Sequence, residues 1–411
     1  MKKIISFFCL AFFSSTAFAQ WTQLNTGNAT AQFECISFKD SIFGFAGGME
    51  PATGLGVIYK TTDGGATWSL TTLQKQPRPI HDMTEIGGTF YAVGDSGAYF
   101  IYNAGLDEWD TITKFTNQSL HCIAIRSSGE IFAGGANGVL FRTNPVIALD
   151  SRTQLTVNKI LLPGTTEMIT CGEGANIWYS NDDGLTFDSL TNPFWGFLNV
   201  NGAAIGNQFG NDFVQFVGDY GFATSSQYLN PGLGPQNVYA PANTSADYYS
   251  INYFPGGTAG VITGEYGFIF RTADGGLTWS ADSAVSPTVN LYNSSLKSGV
   301  AYLCGTLGTI LKSNIDISSV NSPVANPVSA AAFPNPFSDE LNVVVDLKNP
   351  SSVELQVTDV TGRIVLDENE GNDFSGKNKF NVQGMSALTG GIYFVKVMTE
   401  NGVATLPVVK R

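Results

Sequence analysis

The segment Thr61-Thr-Asp-Gly-Gly-Ala-Thr-Trp68 returns almost unchanged as Thr272-Ala-Asp-Gly-Gly-Leu-Thr-Trp279, and a variant, Ser180-Asn-Asp-Asp-Gly-Leu-Thr-Phe187, lies between them. One local solution, a tight turn followed by an anchoring aromatic, is used three times, so the chain must be read by its period. Asp63, Asp182 and Asp274 stand where a carboxylate accepts hydrogen bonds from backbone N–H groups of its own turn. Gly65, Gly184 and Gly276 supply backbone angles that a side chain resists. Trp68, Phe187 and Trp279 are placed to pack beneath the turn. All nine residues read as structural.

A second signal recurs more often. An apolar strand ends in Gly, one or two small or polar residues follow, and another apolar strand begins. The series runs Phe43-Gly-Phe-Ala-Gly-Gly48, Phe90-Tyr-Ala-Val-Gly-Asp95, Ile131-Phe-Ala-Gly-Gly135, Met168-Ile-Thr-Cys-Gly-Glu173, Phe213-Val-Gln-Phe-Val-Gly-Asp219, Val261-Ile-Thr-Gly-Glu265 and Ala301-Tyr-Leu-Cys-Gly-Thr306. With Gly47, Gly94, Gly134, Gly172, Gly218, Gly264 and Gly305 as register, the spacing is 38 to 47 residues. Four short strands per unit at that period are what propeller blades require. The pattern Ser/Thr-x-Asp-x-Gly-x-Thr-Trp/Phe resembles the Asp-box of sialidase-like β-propellers, and the array is similar to the propellers of photosystem II assembly factors. The resemblance implies boxes at the blade periphery, away from the axis. The expected fold is all-β: a seven-bladed β-propeller over residues 20–314, followed by a small antiparallel, Ig-like β-sandwich.

The seventh unit ends near Asn314 without an outer strand, whereas Trp21-Thr-Gln-Leu-Asn25 supplies one at the other end of the array. Pairing the two would remove an open sheet edge. Ahead of it, Lys2 and Lys3, the apolar run Ile4 to Phe13 and Ala17-Phe18-Ala19 read as a signal peptide over residues 1–19. That run is too short to span a bilayer, and no later segment is long and apolar enough. The formal charge is −13, and −15 once Lys2 and Lys3 are removed. Such a balance, with no basic block, argues against nucleic acid and anionic membrane surfaces as partners.

Residues 315–332, rich in Ser, Asn, Pro, Val and Ala, have linker composition. Over residues 333–411 the pattern changes to Phe333-Pro-Asn-Pro-Phe337, Leu341-Asn-Val-Val-Val-Asp346, Val353-Glu-Leu-Gln-Val-Thr-Asp-Val-Thr-Gly-Arg-Ile-Val365, Leu388-Thr-Gly-Gly-Ile-Tyr-Phe-Val-Lys-Val397 and Lys410-Arg411. These motifs resemble the type A C-terminal sorting domain of the type IX secretion system of Bacteroidetes. The resemblance implies outer-membrane translocation, engagement of the secretion machinery and its sortase-like transpeptidase through residues 333–411, and a secreted or outer-surface location.

Candidate ligand residues follow from the register. Counting back 13 residues from the glycines of units one to four finds Glu34, His81, His121 and Lys159, at the start of the innermost strand. With Asp82 they are expected to line an axial mouth that takes a glycan or protein ligand. Asp95, Glu173, Asp219 and Glu265 directly follow register glycines and predict an acidic circle. A sialidase needs an arginine triad and the Phe/Tyr-Arg-Ile-Pro signature. That signature is absent, and Arg142 and Arg271 share their repeat position with Lys60 and Lys312, which marks them as structural. No residue is assigned a catalytic or metal-binding role and no cofactor is expected: two histidines and no Cys/His spacing suit zinc poorly. Cys35, Cys122, Cys171 and Cys304 are expected to be buried free thiols. Two aromatic loops, Pro193-Phe-Trp-Gly-Phe197 and Tyr228-Leu-Asn-Pro-Gly-Leu-Gly-Pro235, fit a cap over the propeller core or a binding lip. The composite expectation is a secreted or cell-surface, non-catalytic binding propeller. The alternative is a secreted glycoside hydrolase using carboxylates at the axis.

Overall fold

A computed structural model describes residues 21–73, 78–111, 116–143, 147–149, 154–190, 198–208, 211–226, 237–238, 246–282, 288–314, 329–334, 337–359, 364–399 and 402–410. Within them the chain forms seven sheets built on four antiparallel strands, and an eighth sheet at the C-terminal end. The seven innermost strands are Gln32–Phe38, Ile80–Ile86, Leu120–Ile125, Val157–Leu161, Val200–Gln208, Tyr248–Tyr253 and Leu291–Lys297. Each touches the next, and the seventh returns to the first, so the sheets are blades of a closed ring. This is the seven-bladed propeller expected from the period.

The second strand of each blade is sandwiched by neighbouring blades. Ile131–Gly135, Met168–Gly172 and Gly260–Gly264 are buried at every position, which explains their continuous apolar runs in place of a two-residue alternation. Blade interfaces form the core. Phe38 stacks on Tyr302 of blade seven at 3.6 Å, and Phe45 meets Phe90 and Trp109 of blade two edge-on.

The glycine that closes each second strand has a steric cause. A Cβ at Gly48, Gly94, Gly135, Gly172, Gly218, Gly264 or Gly305 would overlap the backbone carbonyl just ahead of, or at the start of, the same blade's innermost strand. The true register therefore runs through Gly48 and Gly135. Gly47 and Gly134, the glycines read from the sequence, lie one residue too early. In blades two to seven a two-residue left-handed turn follows the register glycine, at Ser96-Gly97, Asn137-Gly138, Gly174-Ala175, Tyr220-Gly221, Tyr266-Gly267 and Leu307-Gly308, where φ lies between 54° and 72°; in blade one the second strand continues past Gly48 to Glu50. These are type I′ hairpin turns, which match the twist of the flanking strands. A non-glycine residue in this conformation costs about 1–2 kcal/mol.

Closure uses both ends of the array. Thr22–Leu24 pairs antiparallel with the third strand of blade seven, setting Thr22 opposite Lys312, Gln23 opposite Leu311 and Leu24 opposite Ile310. Ahead of that strand, the Trp21 indole N–H donates to Asp282 Oδ2 at 2.9 Å, and the same oxygen meets Arg271 Nε at 2.7 Å. The clasp thus ties blade seven to blade six.

The C-terminal sheet contains Ser329–Phe333, so regular pairing begins ahead of residue 333; residues 315–328, the core of the expected linker, lie outside the described residues. The long strands Leu341–Asp359 and Ile364–Val382 pair along their length with register breaks between Leu347 and Val353. Their first-paired half continues to Ser329–Phe333 and the other half to Gly391–Thr399 and Gly402–Lys410. Val343, Val345, Val353, Leu355, Val395 and Val408 meet in one core, which is the sandwich expected from the alternation.

Deleting residues 21–25 leaves the edge Ile310–Asn314 unpaired. We expect a lower thermal midpoint and concentration-dependent self-association by size-exclusion chromatography; a monomer with unchanged midpoint would refute the clasp.

Candidate functional site at the axial mouth

Every innermost strand carries one bulge at its first turn. The ladder skips a residue between Phe33 and Cys35, Ile80 and Asp82, Leu120 and Cys122, Val157 and Lys159, Val200 and Gly202, Tyr248 and Ser250, and Leu291 and Asn293. The residues released from pairing are Glu34, His81, His121, Asn158, Asn201, Tyr249 and Tyr292. A bulge re-aims a side chain, and the seven released residues stand at one position around one axis, with side-chain contacts across blade boundaries from Glu34 to His81, His81 to His121 and Tyr249 to Tyr292.

One side of the ring is ionic. His81 Nδ1 lies 2.6 Å from Glu34 Oε2 and its Nε2 lies 2.9 Å from Asp95 Oδ1. Asp95 Oδ1 also accepts from Ser119 Oγ at 2.7 Å. Burial alone would oppose the imidazolium most strongly, but the hydrogen bonds and charges of Glu34 and Asp95 together exceed it and raise His81 to about 9. His121 stacks on that ring at 5.1 Å and 30°. Its own pKa is lowered, first by burial and then by the charge on His81. Near neutral pH the pair is one imidazolium against one neutral imidazole. The other side is aromatic: Tyr249 and Tyr292 meet at 5.1 Å and 53°, and the Tyr249 hydroxyl donates to Glu265 Oε1 at 3.4 Å. Asn158 and Asn201 close the ring by donating to the Val200 and Tyr248 carbonyls of the next blade.

Glu34, His81 and His121 thus stand together at the mouth. Asp82 and Lys159 do not join them. Both lie one residue deeper, paired in the ladder with Val93 and Cys171. Asp82 is buried and accepts the Met83 and Ile123 backbone N–H groups at 2.9 and 3.0 Å, so its oxygens hold the backbone of blades two and three. Lys159 Nζ lies 3.9 Å from Asp82 Oδ2, and that carboxylate is the main cause of its raised pKa. They border a cavity of about 240 Å³ on the axis, which Asn252, Asn293 and Lys297 also line. The backward step from Gly172 misses Asn158 by one residue, and Asn201, Tyr249 and Tyr292 lie in blades five to seven, beyond the four units to which the step was applied. Their signal was local: each directly follows the buried apolar residue paired with the register glycine, as in Val157-Asn158 and Leu291-Tyr292.

The acids after the register glycines divide into two kinds. Glu173, Asp219 and Glu265 accept the backbone N–H of Thr156, Asn199 and Asp247 just ahead of their own innermost strands. They fasten the hairpin. Asp95 instead turns to His81.

The three repeated turns are each held by their own side chains. Asp63 accepts from Thr61 Oγ1 and from the N–H and hydroxyl of Thr67, which hold its carboxyl down at about 2. Asp182 and Asp274 repeat the set with Thr186 and Thr278. Phe187 is buried, while Trp68 and Trp279 pack against Phe38 and Tyr253. Gly65, Gly184 and Gly276 each donate their N–H to the hydroxyl of Thr61, Ser180 and Thr272 at 2.8 Å. The shared basic position is structural too. Lys312 Nζ donates to Gly64 O at 2.9 Å, Lys60 meets Asp107, and Arg142 lies 3.8 Å from Asp183 Oδ2, in each case reaching the next blade. Arg271 instead holds the clasp acid Asp282. All four cysteines are free and buried, with burial raising each thiol and Cys171 reaching about 12. Among the described residues no three His, Cys, Asp or Glu side chains converge as a metal site. The aromatic segments 193–197 and 228–235 lie outside the described residues.

Fold and tail together define an exported β-propeller. Residues 331–411 match the secretion system C-terminal sorting domain family, which directs the protein to the cell surface or into the medium; no helix among the described residues is long and apolar enough to cross a membrane. A comparison with curated proteins finds no match. Among solved structures the chain is similar to YCF48 bound to D1 peptide, with a TM-score of 0.59 at 18% identity over 74% of this chain and 98% of that one. It is similar to PorZ, a surface component of the type IX secretion system of Porphyromonas gingivalis, with 0.54 at 14% identity over 94% of this chain and 60% of PorZ. It is also similar to a catalytically inactive virginiamycin B lyase from Staphylococcus aureus with quinupristin, with 0.60 at 12% identity over 72% and 99%. At these identities the likeness is one of fold.

The raised pKa of His81 sets a pH signature. Its stabilising contribution is complete below the ordinary value of 6.5 and is lost as pH rises through about 9. The thermal midpoint should therefore fall between pH 6.5 and 9.5, and Asp95→Asn should move the His81 NMR titration midpoint downward. A His81 midpoint at its ordinary value would contradict the bridged geometry.

Proposed function

We propose that the protein is a non-catalytic binding or adhesion module of the cell surface, with its ligand seated on the bulged ring at the axial mouth. The carrying observation is the ring itself: seven side chains withdrawn from the strand ladder, ionic on one side and aromatic on the other. Such a mouth offers hydrogen-bonding groups and an apolar wall together, the mixture that fixes orientation and supplies contact area in ligand sites. The D1 peptide held by YCF48 and the surface station of PorZ agree with this reading.

Glycoside hydrolysis fits the same residues less well. Two catalytic carboxylates need about 5 to 10 Å between them with the sugar or a water in the gap. Between Glu34 and Asp95 that gap is filled by the His81 ring, hydrogen-bonded at both ends.

The test uses the purified protein on a glycan array and against displayed peptides. Ligands so found should lose at least tenfold in affinity with Glu34→Gln or Tyr292→Ala and should be recovered intact. Product release that disappears in Glu34→Gln would overturn the reading, as would binding indifferent to both substitutions. In cells, a chain truncated after residue 328 should remain in the periplasm; its appearance at the surface would remove the role of the tail.

A further inference from the structure

The turn that follows the register glycines of blades two to seven differs in what it displays. In blades two to four its first left-handed position carries Ser96, Asn137 and Gly174, residues suited to that backbone. In blades five to seven it carries Tyr220, Tyr266 and Leu307, all at φ between 54° and 56° and 68%, 51% and 55% exposed. Large apolar side chains are placed both in an unfavourable conformation and in water, on three adjacent blades.

Hydrogen bonds join the three tips into one arc. The Tyr220 N–H donates to Asp247 Oδ1, and the Asp247 N–H donates to Glu265 Oε2, next to Tyr266. The Tyr266 N–H donates to Asn290 Oδ1, and the Asn290 N–H donates to Thr306 Oγ1, next to Leu307. Inside the arc lie Tyr249 and Tyr292, the aromatic side of the mouth. The charges along it are of one sign. Burial, together with the neighbouring Asp219 and Glu265, raises the pKa of Asp247, the mark of a carboxylate without a cation beside it. Residues 198–314 contain three basic side chains. Arg271 and Lys312 are held at Asp282 and Gly64, and Lys297 ends its innermost strand away from the bulge, 3.5 Å from Glu85.

We propose that this arc, Tyr220, Tyr266 and Leu307 outside Tyr249 and Tyr292, seats an extended peptide segment that presents Lys or Arg between apolar side chains. The inference rests on the binding reading above and names its ligand class. The aromatic rings supply flat apolar area and faces for cations, Asp247 and Glu265 supply the opposite charge, and the span of three blades suits a strand-like occupant better than a compact one.

The experiment selects phage-displayed random peptides on the purified protein and measures their affinity for the parent and for substituted variants, including Glu34→Gln and Tyr292→Ala. Enrichment of sequences with Lys or Arg flanked by apolar residues is expected. The triple variant Tyr220→Asn, Tyr266→Asn, Leu307→Asn should bind these peptides at least tenfold more weakly, with a thermal midpoint equal to or above that of the parent, since Asn tolerates the left-handed turn. Replacing Lys and Arg of the peptide by Gln should cost a similar factor, and Ser96→Asn on blade two should cost nothing. Selected peptides lacking basic residues, or affinity unchanged in the triple variant, would overturn the proposal. If such peptides still require Glu34 and Tyr292, the arc fails while the mouth stands. Absence of any selected peptide overturns the arc, and the glycan array then decides the mouth independently.

Discussion

The whole propeller depends on one close approach, repeated in every blade: the register glycine lies against the carbonyl at the threshold of the innermost strand. That contact brings the first two strands closer than a side chain permits. The chain accommodates it with a bulge at the next position of the inner strand and, in blades two to seven, with a left-handed turn after the glycine. The turn sends N–H groups into the next blade, as from Ala175 to Leu198 O, Gly221 to Ala246 O and Gly308 to Ala31 O at 2.6 to 2.7 Å. The bulge releases one side chain to the axis. Scaffold and mouth are thus products of the same steric event, and a Cβ at the glycine would disturb both.

This explains what could be read from the sequence and what could not. The glycines are visible because only one residue fits, and the period follows from them. At Gly47-Gly48 and Gly134-Gly135 two glycines adjoin, and composition does not say which meets the carbonyl. Counting backwards from them fails because the hairpin between first and second strands is not constant. In blade five it extends to Gln208 and Asn211, so a fixed step lands away from Asn201. From the true register glycines the step is 14 residues to Glu34, His121 and Asn158 and 13 to His81, so a 13-residue step reaches Glu34 and His121 only because it starts one residue early, at Gly47 and Gly134, and reaches Lys159 from Gly172. Lys159 was taken in place of Asn158 by one residue, and in a strand one residue changes the face. The contact of Glu34 with His81 has no signature in any single segment, since it joins neighbouring blades.

The Asp-box shows how a local motif acquires a non-local task. Its Asp and Thr satisfy one another within eight residues, which makes it legible. The tightly wound turn also leaves carbonyls and N–H groups facing outward, and the neighbouring blade uses them. Gly64 O receives Lys312 and the Tyr302 hydroxyl, and Gly275 O and Gly276 O receive the Gln215 side chain. Arg126 reaches Asp183 at 2.8 Å. In blade two, where the box is degenerate, Asp107 supplies a carboxylate to Lys60 instead. The equivalence of Lys60, Arg142 and Lys312 in the sequence therefore reports a ring of inter-blade ties, not a basic surface.

Such ties matter because, among the described residues, no disulfide closes the ring. Closure brings the blades of Cys35 and Cys304 together, and Cys122 and Cys171 also lie in consecutive blades, near enough for Cys304 to raise the pKa of Cys35 and Cys171 that of Cys122. Yet all four are free, and burial keeps them protonated. The thiolate is the species that attacks a disulfide or an oxidant, so these groups are inert once the blades have packed. Integrity of an exported propeller then rests on packing, on the inter-blade ties and on three residues of strand at Thr22–Leu24. That strand pairs with the third strand of blade seven, so the ring is complete only when the two ends of the array have met.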